Sequence, residues 1–228
     1  MFYGLWNREV TIDRKGRKME EKRGIVVEHV QKSFGREVVL RDANLEIRPG
    51  QICGVVGNNG SGKTVLMKCI CGFMRPDQGR VIVNGSRIGA DCDFPEKIGV
   101  IIETPGFLPA LSGYKNLKIL ADLRAVIGKK EIFETMERVG LDPKLKKPVS
   151  KYSLGMRQRL GIAQAIMEDP DVLILDEPFN GLDKKGNAAM RTLVREMKDQ
   201  GKAILLASHN PRDIEELCDA VHEMEEWK

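Results

Sequence analysis

The sequence lacks any apolar run near the roughly 18 residues that a membrane-spanning helix requires. It also lacks an apolar stretch at its start, because charged residues begin at Arg8, and this argues against a secretory signal. Internal repeats and low-complexity linkers are absent as well. We therefore expect a chain that does not itself cross a membrane.

Cysteine is scarce and poorly placed for cross-links. The chain has five cysteines, an odd number, and no two of them form a CxxC pair. Cys53, Cys69 and Cys71 lie in apolar stretches, where a free thiol packs as a small apolar side chain. Cys69 and Cys71 would point to different faces of a helix, which argues against a metal site there. This usage favours a reducing cytoplasm.

Apolar residues make up 42% of the 228 residues and charged residues 31%, with 23 glycines. That balance is typical of one or two globular domains with a sizeable core. It excludes a disordered chain, a collagen-like chain and a small disulfide scaffold.

The net charge of +4 is concentrated at the N-terminus. Residues 1–24 hold seven basic and four acidic side chains and so carry +3 of the total. This segment has no helical or strand period, and we expect residues 1–23 to be a disordered N-terminal tail, with the part before Met19 an extension of the natural protein. A basic arm on a membrane surface is the alternative. The lysine-rich stretch 144–151 is interpreted as a solvated loop, so no nucleic-acid partner is expected.

Short continuous apolar runs recur along residues 24–228, which we expect to form the folded domain. Strands covered on both faces have such runs, so the pattern predicts an α/β fold with a largely parallel sheet. The predicted strands cover residues 25–30, 52–56, 80–83, 98–102, 172–175 and 203–207. Between them, residues 105–170 predict a helical subdomain with helices at 113–126, 129–139 and 154–167, the first capped by Ser112.

Residues 57–64 read GNNGSGKT, a complete GxxxxGK(S/T) phosphate-binding loop between a predicted strand and a predicted helix. The glycines let successive backbone N–H groups face one oxyanion at the start of a helix. Lys63 would neutralise the β- and γ-phosphates, and Thr64 would offer its hydroxyl to Mg²⁺. The predicted nucleotide-binding residues of this loop are Gly57, Asn58, Asn59, Gly60, Ser61, Gly62, Lys63, Thr64 and Val65.

A pair of carboxylates follows the predicted strand at 172–175. Ligands gather at the carboxyl ends of strands in open α/β sheets, so Asp176 and Glu177 are expected beside the phosphates. Adjacent residues of a strand point to opposite sides, which allows them separate roles. Asp176 is expected to hold Mg²⁺, and Glu177 to polarise the attacking water.

Three further segments complete a recognisable set. They are YSLGMRQRLGIAQAI at 152–166, NGLD at 180–183, and His209 in LLASHN. With the phosphate loop and the carboxylate pair, their order resembles the nucleotide-binding subunit of ABC transporters over residues 24 to 220. The fold implied is a P-loop NTPase of the ABC type: a mostly parallel core, an antiparallel β region and the inserted helical subdomain.

The resemblance implies roles for further residues. Ser153 to Arg157 match the signature segment, and residues 180–183, ending at Asp183, match the D-loop. His209 matches the switch histidine at the γ-phosphate, and Phe34 matches the aromatic residue that stacks on adenine. Ser153 and Gly155 would then contact the nucleotide of a neighbouring copy, so that two copies, expected to be identical, close on two ATP molecules.

Two departures from the usual ABC pattern narrow the resemblance. The signature lacks one glycine and the glutamine, and has Leu154 and Met156 in their place. Glu103 stands where most cassettes have glutamine. We expect Glu103 to be an additional Mg²⁺ ligand that slows turnover. These features are similar to the bacitracin-export and antibiotic-immunity type of ABC exporter. That type implies a separate integral-membrane permease, a peptide or amphiphilic cargo, and a position on the cytoplasmic face of the cell membrane.

The segment from Glu103 to Leu111, with Pro105, Phe107, Leu108 and Pro109, is the predicted docking surface for the permease. The alternative is that these apolar residues only pack beneath the helical subdomain. For the chain as a whole, two other readings stay open: a soluble ABC ATPase not coupled to transport, and a nucleotide-gated sensor with little hydrolysis.

Overall fold

The computed structural model describes residues 24–103 and 106–228. The predicted tail 1–23 and Pro105 of the predicted docking segment lie outside the described residues. Within that part of the chain the strands are β1 (Ile25–Phe34), β2 (Glu37–Ile47), β3 (Ile52–Val56), β4 (Gln78–Val83), β5 (Ser86–Arg87), β6 (Ile98–Ile101), β7 (Val172–Asp176), β8 (Ala203–Ala207) and β9 (Ala220–Glu223). The helices are α1 (Lys63–Ile70), α2 (Gly113–Arg124), α3 (Lys129–Arg138), α4 (Leu154–Ile166), α5 (Lys184–Asp199) and α6 (Pro211–Leu217), with 3-10 turns at Val149–Lys151 and Met224–Trp227.

A five-stranded parallel sheet forms the core, in the order β6-β7-β8-β3-β9. Its central strands are buried on both faces because alternate residues enter two separate apolar clusters. Leu173 and Leu206 belong to one cluster, whereas Val172 and Leu205 belong to the other. The predicted parallel sheet is confirmed, and the continuous apolar runs are explained by this two-sided burial.

A second sheet is antiparallel, in the order β2-β1-β4-β5. Strand β2 was not predicted from the sequence, since charged residues interrupt its apolar positions and one of its faces is exposed. Asp42, at φ 111°, also lies where the register between β1 and β2 shifts, which breaks the two-residue period. The edge strand β9 was missed for a similar reason, because its residues are mostly exposed.

Helices α2, α3 and α4 lie between β6 and β7 in the chain, close to the predicted ranges. Ser112 caps α2 as predicted, accepting a bond from the Lys115 backbone N–H at 3.4 Å. The predicted end of α2 at 126 was wrong by two residues, because Ala125 adopts a left-handed conformation at φ 53° and ends the helix. No helix in residues 24–103 or 106–228 combines the length and the apolar character that crossing a bilayer demands.

The five cysteines are free thiols. Burial raises the pKa of Cys53 and of Cys71 to about 12, so both thiols stay protonated near neutral pH. The expectation that the cysteines in apolar stretches pack as small apolar side chains is confirmed, with Cys53, Cys69 and Cys71 all buried.

Candidate active site

The loop between β3 and α1 has the backbone shape that its glycines predict. Gly62, directly before α1, has φ 105°, and Gly60 has φ 78°, both in the left-handed region that side chains disfavour. A Cβ atom at Gly62 would also lie 2.9 Å from Cγ1 of Val39 on β2. Only glycine fits at this position, and it turns the chain directly into the N-terminus of α1.

The side chain of Lys63 lies back across this loop. Its Nζ donates to the carbonyl oxygen of Gly57 at 2.6 Å and to that of Asn58 at 3.0 Å. Ser61 Oγ is buried and has no hydrogen-bond partner in the described part of the chain. A positive charge and an unsatisfied hydroxyl therefore lie within one turn of a helix N-terminus, the arrangement that binds phosphate oxygens.

Thr64 and Asp176 meet across 112 positions of sequence, as the predicted metal site requires. Thr64 Oγ1 donates to Asp176 Oδ2 at 3.1 Å. Burial raises the pKa of the Asp176 carboxyl above its ordinary value, and the bond from Thr64 acts in the opposite direction. Hard oxygen ligands at the edge of a phosphate loop suit Mg²⁺, which takes one or two protein ligands together with substrate phosphates. In residues 24–103 and 106–228, no group of three or more His, Cys, Asp or Glu side chains could hold a metal by itself.

Glu177 and His209 are in direct contact. Glu177 has φ 49° and donates its backbone N–H to the carbonyl of Ala207, the last residue of β8, at 2.9 Å. His209 follows β8 two residues later, and its Nδ1 donates to Glu177 Oε2 at 2.7 Å. The ends of two neighbouring strands thus present a carboxylate and an imidazole side by side.

Lys63, Thr64, Asp176 and Glu177 share one cavity of about 440 Å³. It brings together most of the predicted phosphate loop and both carboxylates, and the lining residues are Val39, Asn59, Gly60, Ser61, Gly62, Lys63, Thr64, Val65, Asp176 and Glu177. Gly57, Asn58 and His209 line an adjoining cavity of about 590 Å³ on the other side of the loop. Val39 was not among the predicted site residues, because its strand, β2, was not predicted.

The residues of the signature segment and the D-loop are not part of that 440 Å³ cavity. Ser153 caps α4 by accepting from the Met156 N–H at 3.2 Å, and Asp183 caps α5 by accepting from the Gly186 N–H at 2.7 Å. The two segments pack closely on each other. A Cβ atom at Gly155 would lie 2.9 Å from the Gly181 carbonyl oxygen, and one at Gly181 would overlap the Leu154 side chain.

Gln158, which the sequence analysis did not single out, ties α4 to the strand end that carries the carboxylates. Its Nε2 donates to the carbonyl oxygens of Glu177 at 3.3 Å and Pro178 at 2.9 Å. The signature helix is therefore anchored directly to the backbone beside the candidate base.

Two predicted residues lie at the margin of the site. Phe34 ends β1 with 47% of its surface exposed, it does not line the 440 Å³ cavity, and Lys32 Nζ lies 5.7 Å from its ring centroid. Glu103 has φ 59° and accepts a bond from Lys68 Nζ on α1 at 2.6 Å. The pairing of Glu103 with Lys68 was not expected from the sequence.

Comparison with known proteins gives a consistent assignment. The family model described as ABC transporter matches residues 40–180. The chain is 40% identical to YybJ, an ABC transporter ATP-binding protein of Bacillus subtilis, over 88% of this chain and 92% of that protein. It is 41% identical to the bacitracin transport ATP-binding protein BcrA of Enterococcus faecalis, over 89% of this chain and 66% of BcrA, and 36% identical to the lantibiotic transport ATP-binding protein SrtF of Streptococcus pyogenes, over 86% and 84%.

A solved structure of an ATP-binding subunit of an ABC transporter superposes with a TM-score of 0.78 at 27% identity. The alignment covers 87% of this chain and 85% of that one. The fold, the phosphate loop and the sequence relatives all point to the same family.

Proposed function

This chain belongs to the ABC transporter family, as an ATP-binding subunit with ATPase activity, and from that premise we propose that two copies hydrolyse ATP at a shared interface to power export through a separate permease. The observation that carries the proposal is the cavity in which Lys63, Thr64, Asp176 and Glu177 converge at the N-terminus of α1. Every one of these groups faces the place where a nucleotide's terminal phosphates would lie.

The residues of the cavity divide the work of phosphoryl transfer. The loop N–H groups and Lys63 bind the β- and γ-phosphates, and Glu177 orients and deprotonates the attacking water. His209 holds the Glu177 carboxylate and contacts the γ-phosphate from the end of β8. Thr64 and Asp176 would hold Mg²⁺, which would supply charge neutralisation on the phosphates.

A second copy supplies what this cavity does not contain. Ser153 and Gly155 form another helix N-terminus suited to an anion. Within one chain, however, Ser153 caps α4, Gly155 packs against the D-loop, and neither residue lines the cavity of the phosphate loop. A two-fold arrangement of identical chains would place the signature segment of each copy over the nucleotide of the other, with Asp183 at the same interface.

The dimer proposal is tested by how hydrolysis depends on the concentration of the chain. We expect Mg²⁺-dependent phosphate release to rise nearly with the square of chain concentration at low concentration, since each active site needs two copies. The variant Ser153→Arg should remove this activity and keep ATP binding. A strictly linear dependence with full activity would contradict the shared site.

We place Glu103 at the edge of the same Mg²⁺ site. Its carboxylate, where the amide of glutamine is usual, adds a negative charge beside the phosphates, and the bond from Lys68 at 2.6 Å partly offsets that charge. Turnover slower than that of a glutamine variant, Glu103→Gln, would be the expected consequence.

The permease is proposed to dock on the helical subdomain. A groove of about 180 Å³ lies between the segment before α2 and the helices behind it, lined by Gly106, Phe107, Leu108, Asn116, Ile119, Leu120 and Gln164. Leu108 and Ile119 leave large apolar surfaces exposed at its rim. The antibiotic transport named for BcrA and SrtF favours a peptide or amphiphilic cargo, and a place on the cytoplasmic face of the membrane.

Ile119→Asp should abolish co-purification with the permease and leave ATP binding by the isolated subunit unchanged, because the side chain borders the groove without supporting the core. Phe107→Asp is expected to have the same effect, although Phe107 also packs on the main apolar cluster. Leu123→Asp, at the more exposed Leu123 of the same helix, is the matched control and should keep the complex. Retention of the permease by a folded Ile119→Asp subunit would rule out docking in this groove.

Phe34→Ala is expected to weaken ATP binding by about 0.5–1.5 kcal/mol, roughly a two- to tenfold rise in Kd, because an adenine ring would lose its stacking partner. Dependence on Mg²⁺ should not change. Phe94→Ala removes another exposed aromatic ring and serves as the control in an equilibrium titration with a fluorescent ATP analogue. Equal affinity of Phe34→Ala and the unsubstituted chain would remove the stacking role.

A further inference from the structure

A buried polar cluster lies directly behind His209. Arg191 on α5, Asp213 on α6 and Ser208 after β8 are 8%, 2% and 5% exposed, respectively. None of these side chains lines the 440 Å³ cavity that contains the phosphate loop. The roles assigned above to the active site do not use them.

The side chains of this cluster are joined by a continuous series of hydrogen bonds. Arg191 Nε donates to Asp213 Oδ1 at 2.8 Å, and Nη2 of the same arginine donates to that oxygen as well. Asp213 Oδ2 accepts from Ser208 Oγ at 2.7 Å. Ser208 Oγ in turn accepts from the Asn210 backbone N–H at 3.2 Å. Both carboxylate oxygens are therefore used, one toward α5 and the other toward the turn.

The last hydrogen bond of this series joins Ser208 and Asn210, which flank His209. Their bond closes the turn around the histidine, while Asn210 also caps α6 by accepting from the Arg212 N–H at 3.1 Å. The direction in which the imidazole leaves the backbone is thus fixed by Ser208, and Ser208 is fixed by Asp213.

The other end of this series of hydrogen bonds is Arg191, on the helix that begins at the D-loop. Arg191 lies eight residues after the α5 cap, Asp183, so about 12 Å of rigid helix separates the two. Glu216 on α6 adds a second carboxylate to Arg191 at 3.4 Å. Residues 180–183 are the part of the chain that would face a second copy.

Stability alone does not explain this cluster. Taking a guanidinium and a carboxylate out of water carries a desolvation cost, and apolar replacements of a whole buried ion pair are often as stable or more stable. What such a pair provides, when its geometry is closed, is a single arrangement of the elements that it joins.

We propose that Arg191, Asp213 and Ser208 form a positioning linkage that holds His209 against Glu177 and ties its turn to the helix that starts at the D-loop. The inference rests on the proposed function, because it assigns His209 a contact with the γ-phosphate. Through this linkage, a displacement of the D-loop by a second copy moves α5, and α5 moves the histidine. The second copy would then set the position of the histidine in the first.

The test replaces the linkage as a unit, so that no buried charge is left without its partner. The triple variant Arg191→Met, Ser208→Ala, Asp213→Leu should keep its thermal midpoint within a few degrees and its ATP Kd within twofold, yet lose tenfold or more in kcat. In a His209→Ala background the same three substitutions should cause less than a twofold further loss, because the linkage acts through the histidine.

A second measurement does not depend on hydrolysis. The chain has three histidines, at positions 29, 209 and 222, so the ring signals can be assigned by NMR with single variants. The His209 signal should shift and broaden in the triple variant, and the His222 signal should not. Replacing the exposed Lys118–Asp122 ion pair on α2 in the same way is the control, and both readouts should be unaffected.

An unchanged His209 signal in the folded triple variant would overturn the linkage, as would a kcat within twofold of the unsubstituted chain. If the loss in kcat caused by the triple variant multiplied with the loss caused by His209→Ala, the cluster would have a structural role only. That result would also overturn the linkage. Failure of the proposed function gives a different result: His209→Ala alone would then hydrolyse ATP at the normal rate, while the NMR signal still reports on the linkage.

Discussion

Glu177→Gln is expected to lower kcat for ATP hydrolysis by roughly 10²- to 10⁴-fold. The amide keeps the shape of the side chain but cannot accept a proton from the attacking water. ATP binding should persist because Lys63, Thr64 and the loop N–H groups are untouched. With hydrolysis blocked, nucleotide-bound copies should remain closed on each other.

The measurement for Glu177→Gln combines phosphate release with the mass of the particle in solution. In Mg²⁺ and ATP the variant should elute as a dimer, and after removal of ATP it should return to the monomer. The control is Glu134→Gln, the same chemical change at an exposed position on α3 that is far along the chain from the site. It should behave as the unsubstituted chain. Phosphate release at the normal rate by Glu177→Gln would refute the assignment of the base.

Lys63→Met is expected to lower kcat by roughly 10²- to 10³-fold, the effect of losing one donor at a developing charge, and to weaken ATP binding as well. The Lys63 ammonium bridges the carbonyl oxygens of Gly57 and Asn58, which holds the loop closed. Its second role, the one proposed above, would be to carry the positive charge at the phosphates.

Lys63→Arg separates these roles, because it keeps the charge on a larger planar group that does not fit the same pair of carbonyls. We expect it to recover little of the activity. Lys118→Met, on the exposed face of α2, controls for the loss of one positive charge. ATP affinity of Lys63→Met equal to that of the unsubstituted chain, in a calorimetric titration, would contradict the role given to this lysine.

The parts of the site that could be predicted are those whose geometry is local in sequence. The phosphate loop folds by the conformational freedom of Gly60 and Gly62, and the carboxylate pair is delivered by the apolar strand that precedes it, so each motif specifies its own shape. That Thr64 and Asp176 meet follows from the parallel sheet, which brings the carboxyl ends of β3 and β7 to one edge.

The parts that could not be predicted depend on contacts between distant segments with no motif of their own. Val39 reaches the cavity from a strand whose period is broken at Asp42. The bond from Lys68 to Glu103, and the one from Arg191 to Asp213, join charged residues that in sequence look like ordinary solvent-facing positions on helices and turns. Only the packing of whole elements decides which of those charges become buried or paired.

The close packing of the signature segment on the D-loop restricts which residues can occupy positions 154 and 181 together. The Leu154 side chain occupies the space in which any side chain at position 181 would have to lie, and Gly181 also has φ 75°. Leucine at 154 replaces one of the two glycines of the usual signature, so the bulk that one segment gained has to be absent from the other. A replacement at Gly181 can therefore be accommodated only together with a smaller residue at Leu154, and the two sites should vary as a pair among sequences that share this signature.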